Sequence, residues 1–394
     1  MRLRGAGLLA VGVVVGAWIV GSTALAVLGL GLCLAVALAR GWAWLVARGL
    51  SVERPPLAST PVEGDSLVLE ARIRGRRLLA SRLEWHERIG PLGERSAVVR
   101  RGGRARVLVD AVPRGRYPLG PGRLVASDPL GLRSVELEVP SGTTLLVRPR
   151  VTELATLFTE TGAWGDGGRR AQVRRPSGLE PHGVREYVEG EPLRAVHWPT
   201  SARRGELMVR ELEDAPRDSI AVVLDVDAAS HVGAPGDSSL DEAVRAAAAI
   251  LRAHALRSRR AVLVIGTRAP AVHRVVTLGG DWEGALDALA AVHEEPDAPL
   301  ASLVAARGPA GGLPEVVVVT PRPEAVATAL LSRAALGRSS ALVAIDTPTY
   351  VGRPPSTASS ALHRLAGAGV PLAVLRRGEP LVESLGALRM RAVG

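Results

Sequence analysis

Residues 5–39 contain no charged side chain, and this run limits what the N-terminus can become. As one helix it would be about 50 Å long at 1.5 Å per residue, against a bilayer hydrocarbon core of about 30 Å. Two shorter helices over 6–21 and 23–39, turning near Gly21-Ser22-Thr23, fit better. Arg2 and Arg4 precede the first, and Arg40 and Arg48 follow the second. Basic flanks at both ends place both ends in the cytoplasm by the positive-inside rule. The expectation for residues 1–49 is therefore a transmembrane helical hairpin in the cell membrane, two-pass, with the bulk of the chain cytoplasmic. Trp42 and Trp44 would sit in the interfacial belt. A rival reading is a signal peptide cleaved at Ala37-Leu38-Ala39, with an apolar region about twice the usual 7–15 residues.

The basic excess has a place. All 49 basic residues are arginine, and the chain has neither lysine nor asparagine. GC-rich coding explains that bias, so single arginines are not evidence of phosphate binding. Without lysine there is no Walker-type phosphate loop, and self-contained ATPase activity is not expected. Residues 1–50 carry four arginines and no acid, and residues 51–150 carry 18 arginines against 11 acids. Charge concentrated beside apolar spans suits the anionic face of a membrane. A nucleic-acid binder would more often pair it with stacking aromatics. The only cysteine, Cys33, lies in the apolar run, so no intramolecular disulfide and no Cys/His zinc spacing exists.

Beyond the apolar run the hydrophobic period changes twice. Residues 50–148 hold short alternating stretches, at 66–73, 97–100, 104–109, 135–139 and 144–147, separated by Gly/Pro turns. That spacing predicts a small β-sandwich with alternating arginines on its solvated face. Residues 149–177, with Gly162, Gly165, Gly167 and Gly168, read as a linker. Residues 178–214 form a dense Arg/Glu segment with Tyr187, His197 and Trp198 among the charges. It has no clean helical or strand period. From 215 to 394 continuous apolar strands at 220–224, 261–265, 272–278, 316–319, 341–345 and 372–375 alternate with helices. This predicts an α/β domain with a mostly parallel, Rossmann-like sheet.

In such sheets ligands bind at the carboxyl ends of the strands. Asp225, Asp227, Thr267, Thr320 and Asp346 fall there. Asp225 to Ala229 stands where von Willebrand factor A domains carry an Asp-x-Ser-x-Ser site for Mg²⁺. Asp225 matches the pattern; Asp227 replaces the first serine and Ala229 the second. Most ligands are gone, so the site at Asp225 and Asp227 is degenerate and no cofactor is expected, Mg²⁺ being the ion an intact site would take. His182, Glu191 and His197 could form an acid/base set, but no nucleophile motif accompanies them. Ser201 has no assigned base, and no catalytic residue is assigned.

At this segment the sequence resembles the bacterial "domain of unknown function 58" family. The matching residues are Gly183-Val184-Arg185-Glu186-Tyr187, Gly190-Glu191-Pro192-Leu193-Arg194, His197-Trp198, Ser201 to Leu207 and Val209-Arg210-Glu211. Upstream, Arg114 to Pro121, Ser127 to Leu132 and Val147 to Arg150 resemble the family's sandwich signature and exit. The resemblance implies a membrane-anchored protein ending in a von Willebrand factor A-like domain. It further implies association with a MoxR-type AAA+ ATPase, often beside a transglutaminase-like membrane protein, in a non-enzymatic accessory or adaptor role. Assembly or maturation of envelope or other protein complexes is the process implied. Arg185, Glu186, Tyr187, Gly190, Arg194, His197, Trp198, Ala202, Arg203, Gly205, Glu206 and Arg210 are the signature and interaction residues. Arg185, Tyr187, Arg194, Trp198 and Arg203 are expected to lock the junction between sandwich and sheet, so that the two domains move as one body. The alternatives are a metal-dependent hydrolase using Asp225 and Asp227, and a nucleic-acid binder working through the basic sandwich.

Overall fold

The structure is a computed structural model. It describes residues 2–57, 59–75, 82–100, 102–127, 134–140, 144–161, 181–186, 196–212, 220–276, 278–357 and 359–386. Two compact units divide the chain, residues 1–150 and 151–394.

The first unit opens with helices α1 (Arg2–Val20) and α2 (Thr23–Gly49), separated by Gly21 at φ +69°. Ser22 caps α2, its hydroxyl accepting from the Leu25 amide at 3.4 Å. The helices lie side by side: a Cβ on Gly29 would come 2.7 Å from Val14 Cγ2. Leu8, Trp18, Ile19, Val27, Leu30 and Leu34 are exposed. One span, Thr23–Val46, is long and apolar enough to cross a membrane, and a shorter apolar stretch covers Gly7–Val20.

The second helix runs ten residues beyond the expected end at 39, and tertiary packing explains the extension. Val46 is fully buried in the core of the following sheets, and Trp42 packs against the same core. Trp42 therefore serves that core instead of the expected interfacial belt. Trp44 remains exposed and carries the Arg48 guanidinium 4.4 Å above its ring.

With no intervening loop, α2 passes into β1 (Leu50–Glu53). The next strands are β2 (Leu67–Gly75), β3 (Arg82–Arg88), β4 (Glu94–Val98), β5 (Arg104–Val109), β6 (Gly115–Pro118), β7 (Gly122–Ser127), β8 (Ser134–Val139) and β9 (Thr144–Val147). They form antiparallel sheets in the orders β1-β2-β5, β4-β3-β7-β8 and β6-β9. Period-two alternation sends Leu67, Leu69, Ala71 and Ile73 of β2, Val107 of β5, Trp85 of β3 and Leu124 of β7 into one shared core. Arg72 of β2 and Arg104 and Arg106 of β5 lie on the outer face, around Glu70. The first, third, sixth and seventh strands were not expected; their alternating charged residues and short length hide them.

A polar knot sits inside this core. The Trp85 indole donates to Glu87 at 3.0 Å, and Arg54 pairs with the other carboxylate oxygen at 2.8 Å. Burial pushes the Glu87 carboxyl above its ordinary range, against the opposing pull of Arg54 and the indole. Gly122 leaves the room: a Cβ there would overlap both the Trp85 ring and the Arg54 guanidinium. Gly122→Ala should therefore cost about 1–3 kcal/mol by overpacking, read as a lower denaturant midpoint for the full chain in detergent.

The second unit begins inside the expected linker. Leu154, Leu157 and Phe158, the last opening helix α3 (Phe158–Thr161), belong to the α/β core. Arg252 pairs with Glu153, and Arg257 Nη2 donates to the Ala155 carbonyl at 2.9 Å. The signature segment supplies β10 (Pro181–Glu186), α4 (Trp198–Arg204) and β11 (Met208–Leu212).

The main sheet contains β12 (Ile220–Leu224), β13 (Ala261–Ile265), β14 (Ala271–Val275), β15 (Glu315–Thr320), β16 (Ser339–Ile345) and β17 (Leu372–Leu375). Its order is β14-β13-β12-β15-β16-β17, all parallel except β14. Helices α5 (Ser239–Leu256), α6 (Gly280–Ala291), α7 (Leu300–Val304), α8 (Pro323–Ala335), α9 (Thr347–Tyr350), α10 (Ser360–Gly367) and α11 (Leu381–Leu385) connect the strands. Alternate residues of β12 face two separate cores: Val222 joins the α5 and α6 side, and Val223 the α7, α8 and α10 side. Five of the six expected strands are thus observed to within two residues at either end; the third, expected over 272–278, is β14 at Ala271–Val275. A capping box starts α5: Ser238 Oγ accepts from the Asp241 amide at 3.0 Å, and Asp241 accepts from Ser238.

Near the end of α5, both ring nitrogens of His254 are buried without a hydrogen-bond partner. Burial, aided by the charges of Arg259 and Arg257, lowers its pKa to about 4. The unfolded chain binds this proton near pH 6.5 and the folded chain only near pH 4, so stability present above 6.5 is lost as pH falls through that window. The loss is about 3 kcal/mol by pH 4. Melting temperature should drop between pH 7 and 4.5, and His254→Met should flatten part of that slope.

Candidate functional site

The sheet order places β12, its first strand, between β13 and β15. The neighbouring connections leave on opposite faces there, which makes the carboxyl ends of these strands the switch point of the sheet. Asp225 follows β12 directly and is fully buried; Thr320 closes β15 and is also fully buried. Parallel pairing of the two strands carries them together across 95 residues of sequence.

Thr320 Oγ1 donates to Asp225 Oδ2 at 2.6 Å. Arg322, two residues on, turns its guanidinium toward these strand ends. Its Nε donates to Asp225 Oδ2 at 3.1 Å and its Nη2 to Asp225 Oδ1 at 2.8 Å, a bidentate fork. Its Nη1 pairs with Asp227 Oδ2. The Arg322 amide donates to Thr320 Oγ1 at 2.8 Å, which fixes the hydroxyl so that its proton points at Asp225. Burial pulls the Arg322 guanidinium pKa down, while the hydrogen bonds and charges of Asp225 and Asp227 push it up; the net direction is upward.

Backbone donors complete the pair. The Asp227 amide donates to Asp225 Oδ1 at 3.2 Å, and the Ala229 amide to Asp227 Oδ1 at 3.4 Å. His231 closes the far side: Nε2 lies 3.0 Å from the Asp225 carbonyl and Nδ1 3.1 Å from Ser239 Oγ. A carbonyl only accepts, so Nε2 carries the proton and Nδ1 accepts from the serine hydroxyl. Burial holds this histidine below its ordinary pKa against the opposing pull of Asp225, which keeps it neutral.

Of the five residues expected at this end of the sheet, Asp225, Asp227 and Thr320 come together. Thr267 is not with them; its hydroxyl donates to the Ala269 carbonyl at 2.6 Å. Asp346 forms its own cluster, accepting from Ser356 Oγ at 2.6 Å and Arg376 Nε at 3.2 Å. Arg322 was missed. Its signal was present, because a basic residue at a helix N-cap opposes the macrodipole, and Arg322 caps α8.

The degenerate Mg²⁺ site can be tested on its donors. A hard divalent cation needs several free oxygen ligands. All four carboxylate oxygens here already accept from a guanidinium, a hydroxyl or an amide, and Ala229 offers no side-chain ligand. The residues do not fit the ion. Among the described residues, no group of three His, Cys, Asp or Glu side chains could hold a metal.

The signature segment folds as a two-stranded antiparallel ribbon with a short helix between its strands. Val184 pairs with Arg210, Arg185 with Val209 and Glu186 with Met208 across β10 and β11. Ser201 is buried and structural: its hydroxyl donates to the His197 carbonyl at 3.1 Å and accepts from the Met208 amide at 2.8 Å. His197 Nδ1 lies 2.8 Å from Thr200 Oγ1. Gly205, at φ +75°, ends α4 with its amide on the Ser201 carbonyl. Ala202, Arg203, Gly205 and Glu206 are exposed, and Trp198 is 61% exposed. Tyr187, Gly190, Glu191 and Arg194 lie outside the described residues.

A ribbon bearing an exposed tryptophan, followed by a doubly wound α/β domain whose switch point is closed by an ion pair, defines the class of protein. Residues 183–306 match the family described as "Protein of unknown function DUF58". The match spans the ribbon and the first half of the α/β domain, the region that carries the signature. No curated protein matches the chain. One similar solved structure is the solution structure of the PKD domain from human VPS10 domain-containing receptor SorCS2. It is 15% identical, with 27% of this chain and 77% of that chain covered, at a TM-score of 0.18. A likeness of that size carries no argument.

Removing the Thr320 hydroxyl tests the site's packing directly. Thr320→Val keeps the shape but leaves Asp225 Oδ2 and the Arg322 amide each short of a partner. A loss of about 1–3 kcal/mol is expected, measured by urea unfolding, with an unchanged far-ultraviolet spectrum.

Proposed function

We propose that the protein is a membrane-tethered, non-enzymatic accessory protein acting with a MoxR-type AAA+ ATPase in the assembly or maturation of envelope or other protein complexes. On this reading α1 and α2 form a two-pass hairpin, the β unit is a sandwich on the cytoplasmic side, and the α/β domain is von Willebrand factor A-like. A transglutaminase-like membrane protein is a second partner the family resemblance implies. The strand order, with its antiparallel edge strand β14, supports the domain reading. The apolar side chains exposed along both helices support the membrane reading.

The exposed Trp198 is the observation that carries the proposal. Tryptophan and arginine are enriched at protein–protein hot spots, and this ring shares the short helix α4 with exposed Arg203 and Arg204. The hydrolase alternative needs a metal at Asp225 and Asp227, whose oxygens Arg322 already engages. The nucleic-acid alternative would work through the basic strands, where Arg72, Arg104 and Arg106 share Glu70 and Arg123 pairs with Glu94 and Glu136, so part of that face is already engaged.

The test uses full chain in detergent and a purified MoxR-type ATPase held in its nucleotide-bound state. Wild-type chain should retain the ATPase. Trp198→Ala should weaken retention about tenfold or more while its melting temperature stays at the wild-type value. No retention by the wild-type chain would sink the proposal.

A further inference from the structure

We infer that the Arg322 guanidinium is the resident cation of the switch-point site, standing where a divalent ion would otherwise neutralise Asp225 and Asp227, so that the α/β domain is metal-independent by construction. The geometry is that of a filled site. One planar group reaches three carboxylate oxygens, two on Asp225 and one on Asp227. A fourth contact, from Nη2 to the Ala298 carbonyl at 3.5 Å, holds the fork from the opposite wall.

The chain brings that group in on a stiff support. Arg322 lies between Pro321 and Pro323, whose rings fix φ on both sides. Its amide bonds back to Thr320, the residue that also binds Asp225. Thus the loop that ends β15 is itself built around the carboxylate. The placement is also costly: a cation at the start of α8 meets the positive end of the helix dipole. The two carboxylates outweigh that penalty, which is the relation expected if Arg322 is there for them.

Donor counting separates this site from a metal site in one further respect. A guanidinium has five N–H groups. Nε uses one, Nη2 uses two, and Nη1 uses one on Asp227. A single N–H remains, so the site offers no open position comparable to that of a bound cation, and a partner's carboxylate cannot complete it as a ligand.

The experiment compares wild type, Arg322→Ser, Arg322→Lys and the double variant Asp225→Asn/Arg322→Ser, each as full chain in detergent. Mn²⁺ binding is read by electron paramagnetic resonance, and melting temperature is read in chelator and in millimolar Mg²⁺ or Mn²⁺. Wild type and Arg322→Lys should bind no stoichiometric Mn²⁺ and melt at the same temperature in either condition. Arg322→Ser should melt roughly 10 °C lower in chelator. It should recover part of that loss with the metal and bind Mn²⁺ stoichiometrically, and the added Asp225→Asn should abolish that binding. Stoichiometric Mn²⁺ on wild type, lost in Asp225→Asn, would overturn the inference. So would an Arg322→Ser protein indifferent to metal. If Arg322→Ser does not fold in chelator, folding restored by Mn²⁺ supports the inference. If it folds in neither condition, Arg322→Gln takes its place under the same criteria.

Discussion

A carboxylate with no solvent exposure at the centre of a sheet must be matched by positive charge or lose its own. Asp225 is in that position, and the sheet topology puts it there. Leaving one such charge unpaired costs about 3–5 kcal/mol, a large share of a domain's net stability. The local structure at this end of the sheet follows from that demand. Thr320 is oriented by it, Arg322 is drawn to the strand ends by it, and Asp227 shares the same guanidinium. Neutral His231 then closes the backbone side through the Asp225 carbonyl without adding a charge the site would have to balance.

The β unit meets the same demand in another form. Glu87 is buried beside Trp85 and Arg54, and the core is shaped around that trio, down to the missing side chain at Gly122. The same core also receives the end of α2. Because Val46 is buried among the sheet residues and β1 begins at the residue after the helix ends, helix and sheets form one compact unit. A helix joined to a sheet in this way transmits orientation, which a flexible linker would not.

Much of this could be read from the residues, and the limits have physical causes. The α/β strands were legible because strands buried on both faces are continuous apolar runs bounded by turn residues. Four strands of the β unit, β1, β3, β6 and β7, were not; β3, for one, reads Arg-Leu-Glu-Trp-His-Glu-Arg and buries a glutamate where a period-two rule expects an apolar side chain. The expected end of α2 at residue 39 followed hydropathy; residues 40–49 stay helical because Trp42 and Val46 find a core that only the folded sheets provide. Asp225 and Thr320 were placed correctly by strand ends alone. Arg322 was invisible by composition, being one arginine among 49. It was visible in principle as a local rule broken, a cation between two prolines at a helix start.

Arginine is the side chain this arrangement requires. A lysine ammonium is a point charge; it could approach Asp225 or Asp227, but it lacks the planar fork that spans both oxygens of one carboxylate and one of the other. An ion from solution could neutralise the pair, but it would leave coordination positions open to water or to a partner. The guanidinium neutralises without opening. The chain therefore has one end of its sheet sealed from within, and a tryptophan left in solvent on the ribbon that precedes it. A surface that has satisfied its own charges has little to gain from a partner, whereas an exposed ring gains about 25 cal/mol for each Å² it hides. On the proposed reading, recognition is physically better served by α4 than by the strand ends where sheets of this class ordinarily bind their ligands.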